Sequence, residues 1–288
     1  MLKRKVFYHV ISLFAVLLLG GFLSATLVRL APGRDADEQL LDAHLSSASQ
    51  QALRDSRRGE QNALQFYARS ARNLLRGDLG VSRSLGQPVA RLLRDRAPAT
   101  ARLIFLGLLI GWSAALAFAL SATVLRLRSC EFLALAVSGA LLSLPAAVLA
   151  LLSVMWNLGG SLAVGMVVFP RVHRYARNLL ETASTRPHIT TARAKGLSVS
   201  RILFWHIIPV VGPQLLAIFG VSVSIALAAA IPIEALCGIA GVGQLAWQAA
   251  MARDLPLIVH LTGIVAFFTV TANSLADIVA TATREPAS

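Results

Sequence analysis

The sequence predicts an all-α polytopic membrane protein of about six transmembrane helices, with an external insertion between the first and the second. Three observations predict it. The 288 residues are 56% hydrophobic and only 14% charged, with a mean hydropathy of +0.67, whereas a soluble domain carries roughly 25% charged residues. The apolar residues fall in blocks of the length that crosses a hydrocarbon core, roughly 20 residues of helix. The basic residues cluster at the ends of those blocks, as the positive-inside rule requires.

That last pattern also accounts for the net charge of +13. A nucleic-acid-binding domain gathers Lys and Arg on one folded face, often with aromatic residues among them. Here they flank apolar runs instead, and the nucleic-acid reading is rejected. Cys130 and Cys237 are the only cysteines. The topology below puts them on opposite sides of the membrane, which argues against a mutual disulfide.

The first span, about Val6 to Val28, follows Lys3-Arg4-Lys5. It is longer than the 7–15-residue core of a signal peptide and is read as uncleaved, although Ser24-Ala25-Thr26 leaves a small-residue site open. Residues 1–30 form the first transmembrane segment and 31–100 the external (periplasmic) helical insertion. Within the insertion, residues 38–53 and 60–76 read as helices, and Leu64, Tyr67, Ala71, Leu74 and Leu75 give the second an apolar face. Gly77 to Gly80 makes a turn, and Pro98 is expected to separate a short helix at Pro88–Arg96 from the second span. The insertion's arginines do not force it inside, because long segments translocate largely regardless of charge.

Residues 101–288 form the membrane core, holding the remaining spans and a cytoplasmic loop at about 184–206. The second span runs from about Leu103 to Leu125 and the third from about Phe132 to Trp156 with Pro145 inside it. A fourth apolar run, Ser161–Phe169, is half a span long. It either continues as helix past Pro170 or is a broken, partly spanning element. Arg171 to Arg201 holds six arginines and Lys195 against Glu181 and is placed inside. The fifth span, about Ile207–Ile231, leads to a Gly-rich stretch at 237–243, and the sixth covers about Leu257–Val279. Six spans put both termini in the cytoplasm.

No catalytic, cofactor or metal motif is present in the sequence. A P-loop needs Gly-Lys, and none of Lys3, Lys5 or Lys195 follows a glycine. No two of the six histidines have His-Glu-x-x-His spacing. The nucleophile elbow Gly-x-Ser-x-Gly is also absent.

The informative segment is Thr191-Ala192-Arg193-Ala194-Lys195-Gly196-Leu197, with Ile208-Pro209 behind it. Gly196 suits the left-handed position after a short helix, and Arg193, Lys195, Ala192 and Ala194 read as a compact basic knob. Charge alone fits contact with anionic lipid equally well. The segment resembles the cytoplasmic loop of binding-protein-dependent ABC importer permeases, in the form used by the oligopeptide/dipeptide/nickel branch. Thr190 stands where the loop's glutamate is found in other branches. Further matches follow in order: Leu30-Ala31-Pro32-Gly33, Arg76 to Gly80, Gly86 to Val89, Glu234 with Gly241-Val242-Gly243, Arg253 to Pro256, and Asn273 with Asp277.

The resemblance implies a permease subunit in the bacterial inner membrane, moving short peptides, or nickel or other small solutes, by alternating access. Its partners would be a second similar permease, two cytoplasmic ATP-binding subunits and an external solute-binding protein. The 191–197 segment would couple it to the ATPases. Glu234, Asn273 and Asp277 are candidate pathway or gate residues. Asp254 reads as an ion pair or helix cap beside Arg253, and Gly238, Gly241 and Gly243 as turn or packing residues. Two rivals stand beside this: a degenerate permease with an assembly or regulatory role, prompted by the short fourth run, and a membrane-embedded hydrolase, for which no nucleophile–base pair is found.

Overall fold

The computed structural model describes residues 79–123 and 128–282, with isolated positions at 11, 15, 16, 19, 20, 23, 26 and 72. The first span, Leu30–Gly33, the insertion helices at 38–53 and 60–76, and the tail beyond 282 lie outside the described residues. The chain divides into two compact units. Of the described core, one contains residues 97–123, 128–244 and 268–282, and the other residues 79–96 and 245–267.

The described secondary structure is helical apart from one isolated bridge, Val81 to Pro88. In chain order the elements are α1 (Val89–Thr123), α2 (Arg128–Ser143), α3 (Ala146–Met155), α4 (Gly160–Ser184), α5 (Pro187–Ala194) and α6 (Val199–Ile202). A π-helical turn at Leu203–Ile207 then leads into α7 (Ile208–Leu236), α8 (Val242–Met251) and α9 (Leu255–Ala282). Three stretches, Val89–Thr123, Val199–Leu236 and Leu255–Ile278, are long and apolar enough to cross a membrane. These are the expected second, fifth and sixth spans, and the protein is an all-α, multi-pass membrane protein.

Three proline expectations turn out differently from one another. Pro98 does not separate two helices; it sits inside the continuous 35-residue α1. The third span is not one helix through Pro145: α2 and α3 meet at a 107° bend, with Pro145 extended at ψ 149. Proline disfavours the helical conformation for the residue before it and removes a donor, so a break there is the local preference. Pro170, by contrast, lies buried within the single 25-residue α4. The fourth apolar run therefore continues as helix.

The larger unit packs in two layers of apolar side chains. Leu103, Leu108 and Ala115 of α1, Ala150 of α3, Val164, Val168 and Val172 of α4, and Ala226, Ala230 and Ile233 of α7 form one cluster. Close approach there depends on small residues, the usual device where lipid removes the hydrophobic drive. A Cβ on Gly107 would stand 2.5 Å from that of Val164. One on Gly220 of α7 would stand 2.5 Å from the Cβ of Ala276 and 2.9 Å from the Ala272 carbonyl, both on α9. The second cluster joins Ala119 of α1, Ala176, Leu180 and Ala183 of α4, Ile189 and Ala192 of α5, and Ile202, Ile207 and Val211.

Candidate functional site

The short helix α5 follows Arg186, which is extended as the residue before a proline prefers to be, and begins with Pro187 at a first-turn position. Its end is a full Schellman closure. Gly196 takes φ +74; its N–H donates to the Arg193 carbonyl at 2.9 Å, and the Leu197 N–H donates to the Ala192 carbonyl at 3.3 Å. Glycine is needed there because a Cβ makes the left-handed backbone costly.

Ile189 and Ala192 point into the second cluster, against side chains of α4, α6 and the π turn. The sequence reading put Ala192 on the outward knob; it faces inward. Thr190, Thr191, Arg193, Ala194, Lys195 and Gly196 are exposed. Ala192 is thus the contact that ties the exposed basic face to the spans. Leu197 is half-buried beside it, and Ile208 and Pro209 are exposed at the start of α7. The π turn ends at Ile207, two residues before Pro209, where the missing proline N–H leaves the ordinary helical ladder incomplete.

A cleft of about 420 Å3 adjoins α5, lined by Thr123, Glu131, Arg177, Thr190 and Arg193 among others. On its wall Arg177 pairs with Glu131 of α2 and, at 3.4 Å, with Glu181 one helical turn on.

The other sequence candidates lie elsewhere. Glu234, in the last turn of α7, is fully buried. Its Oε2 accepts the Gly243 N–H at 2.7 Å and the Gln244 N–H at 3.1 Å, while Thr100 Oγ1 accepts the Val242 N–H at 2.7 Å. The first turn of α8 therefore has its orphan donors satisfied by side chains from other helices. A Cβ at Gly241 would displace the Glu234 carboxylate from the position that caps α8. Gly238 turns the chain at φ +66, and Gly243 packs on the α7 backbone at Ala230 and Ile231. Asn273 of α9 donates from Nδ2 to Ser224 Oγ of α7 at 2.9 Å, and Asp277 is exposed one turn later.

Two arrangements were not foreseen. In the smaller unit Asp254 caps α9 by accepting the Leu257 N–H, and its carboxylate also accepts from Ser82 Oγ at 2.6 Å and from the Ser84 N–H and hydroxyl, each at 2.9 Å. A cap is one of the two sequence readings of Asp254; the serines, 170 and 172 residues away, leave no local signal. Burial pushes this carboxyl upward in pKa, and the hydrogen bonds from Ser82, Ser84 and Leu257 outweigh it, holding the group below its ordinary range. In the larger unit, His173 is buried on α4, stacked on Phe169 and hydrogen-bonded to Ser138 Oγ at 3.1 Å.

The described chain is an all-helical, multi-pass membrane core with a short basic helix packed against it. The chain belongs to the family of binding-protein-dependent transport system inner membrane components, whose profile matches residues 107–284. It is a permease subunit of that class of ABC importer. It is 25% identical to the oligopeptide transport system permease protein AppB of Bacillus subtilis, over 89% of this chain and 90% of the relative. It is 24% identical to the nickel import system permease protein NikB of Staphylococcus aureus, over 96% and 89%. A putative peptide transport system permease protein of Brucella suis shares 28% over 73% and 75%. These relatives are transport permeases, not enzymes.

Proposed function

We propose that the chain forms one half of the translocation path of an importer for short peptides, with nickel or another small solute as the narrower alternative. ATP is hydrolysed on two separate cytoplasmic subunits, a second similar permease completes the path, and a binding protein delivers solute from outside. The setting is the bacterial inner membrane, with both termini cytoplasmic, residues 1–30 as the first span and 31–100 as the external insertion.

The observation that carries this reading is the two-sided character of α5. Its outer face offers Thr191, Arg193, Ala194 and Lys195 to a partner, while Ile189 and Ala192 are packed among Leu180, Ala183, Ile202 and Ile207. A pull on the outer face is passed to α4 and α7 because packed side chains shift as a block. Asn273 and Asp277 remain pathway candidates on α9. Glu234 is better accounted for by the turn it holds. Although α4 is 25 residues long, it is not among the described helices apolar enough to cross a membrane, so the degenerate reading stays as the alternative.

Affinity purification of the tagged chain from its native membrane tests the assembly: recovery of an ATP-binding subunit supports the reading, and its repeated absence overturns it. Solute-stimulated ATP hydrolysis in proteoliposomes then tests transport coupling.

A further inference from the structure

Between Thr182 and Ile233 the sequence holds Arg186, Arg193, Lys195 and Arg201 and no acidic residue. All four cations are exposed. Arg201 is the last of them: the 32 residues from Ile202 to Ile233 carry no Asp, Glu, Lys or Arg. They lie inside Val199–Leu236, a stretch of 38 residues long and apolar enough to cross a membrane. At about 1.5 Å per residue that stretch is about 57 Å long, against about 30 Å of hydrocarbon. A tilt of about 40° still leaves it spanning about 44 Å. Part of it therefore lies outside the hydrocarbon, and the exposed charge of Arg201 puts that end there.

The π turn decides what that end shows. The Ile208 N–H donates to the Leu203 carbonyl, five residues back instead of four. The buried pair is accordingly Ile202 and Ile207, five apart, in the cluster shared with α4 and α5. Phe204 and Trp205, between them, turn outward and are 63% and 77% exposed. With Ser200 and Arg201 they line a surface groove of about 410 Å3. Arg201 forms no ion pair with any described residue.

Two exposed aromatic rings beside the last cation before a span are suited to a membrane–water interface. Tryptophan concentrates there because its ring is apolar and its N–H is polar. Hydrocarbon suits Phe204 but not Arg201 one turn earlier, and bulk water suits Arg201 but neither ring. The headgroup layer suits all three. The charge of the occupant follows from the segment, whose cations have no acid among them. Each Lys or Arg close to an anionic bilayer surface strengthens the attraction about fivefold.

We propose that Arg201, Phe204 and Trp205 form a site for an anionic phospholipid. The guanidinium takes the headgroup phosphate, whose geometry its planar fork matches, and the two rings lie against the upper part of the acyl chains. The site goes beyond the importer reading and does not depend on it. It divides the basic segment in two: Arg193 and Lys195 on α5 are left for a protein partner, while Arg201 faces lipid. Ile202 and Ile207, behind the groove, pack in one cluster with Ile189 and Ala192 of α5. A lipid held in the groove therefore steadies the base against which α5 is packed.

The full chain, purified with the subunits that accompany it, is reconstituted into nanodiscs of phosphatidylglycerol and phosphatidylcholine. Bromine, which quenches a tryptophan in contact with it, is carried on one lipid or on the other at a fixed lipid ratio. The signal of Trp205 is the difference between wild type and Trp205→Phe. The expected result is quenching by brominated phosphatidylglycerol about fivefold stronger, per mole of that lipid, than by brominated phosphatidylcholine. The preference should fall to near parity in Arg201→Gln and be largely kept in Arg201→Lys. Quenching by neither lipid shows that protein covers the rings and overturns the site. Equal quenching by both in the wild type, or an undiminished preference in Arg201→Gln, overturns the anionic headgroup. Inorganic phosphate added at constant ionic strength separates lipid from free anion: an unchanged preference supports the lipid, and its abolition overturns it. None of these outcomes touches the docking of α5 on an ATPase subunit, so the importer reading stands or falls separately.

Discussion

Glu234 Oε2 accepts the backbone N–H of Gly243 at 2.7 Å, so a fully buried carboxylate in the last turn of α7 holds the first turn of α8. The same oxygen takes the Gln244 N–H. Truncation in Glu234→Ala strands both donors, which costs about 2–6 kcal/mol at ~1–3 kcal/mol for each unsatisfied group. Glu234→Gln keeps an acceptor and loses less. Thermal unfolding of the purified complex in detergent should rank wild type, Gln and Ala in that order; an Ala variant as stable as wild type refutes the capping role.

Replacing Gly196, which sits at φ +74 with open space where a Cβ would be, strains backbone without causing a clash. Gly196→Val is expected to cost about 1–2 kcal/mol locally and to unwind the closure of α5 while the spans assemble. Gly196→Asn should be milder, because asparagine tolerates the left-handed region. Normal membrane levels with lost solute-stimulated ATP hydrolysis would confirm coupling through α5. Undiminished stimulation in the Val variant would count against it.

Acid should loosen the Ser82–Asp254 tie. The folded carboxyl sits below its ordinary value, so its stabilisation is complete above the unfolded pKa of about 3.9. It is lost as pH falls through the folded value. Hydrogen exchange at the Ser84 amide, corrected for its intrinsic rate, should therefore be slow and constant from neutral pH to about 5 and accelerate in stronger acid. Asp254→Asn should exchange fast even at neutral pH. An amide equally protected in both proteins would disprove the tie.

Two glycines on α7 should respond oppositely to alanine. At Gly220 the new methyl meets the Ala276 methyl and the Ala272 carbonyl of α9, so Gly220→Ala forces the helices apart and should cost about 1–3 kcal/mol. It also draws Asn273 away from Ser224. At Gly212 nothing lies within 4 Å, so Gly212→Ala should be neutral or stabilise by about 0.5–1 kcal/mol through helix propensity. Melting temperatures of the two variants, compared in one detergent, give the sign of each.

Features that depend only on neighbours along the chain could be read without coordinates. The apolar lengths of α1, α7 and α9 are set by bilayer thickness, and Gly196 follows from the need for a left-handed residue after α5. The Asp254 cap is of the same kind, since a cap answers donors three residues away. The prolines mark the limit of local reading. Pro98, Pro145 and Pro170 have the same chemistry, yet α1 and α4 pass through theirs while α2 and α3 bend by 107° at theirs. Local sequence supplies the lost hydrogen bond, and packing decides whether the helix absorbs it: Pro170 is buried among its neighbours, whereas the bend at Pro145 opens on a cleft.

Sequence alone thus determined what class of protein this is, the main spans, and the exposed basic helix with its glycine stop. Tertiary structure decided which polar groups meet: Glu234 with the turn at 243, and Ser82 and Ser84 with Asp254. The physical reason is separation along the chain. A helix that is apolar all round has no periodicity to show which side is buried, and a hydrogen bond between residues 172 positions apart leaves no local pattern to read.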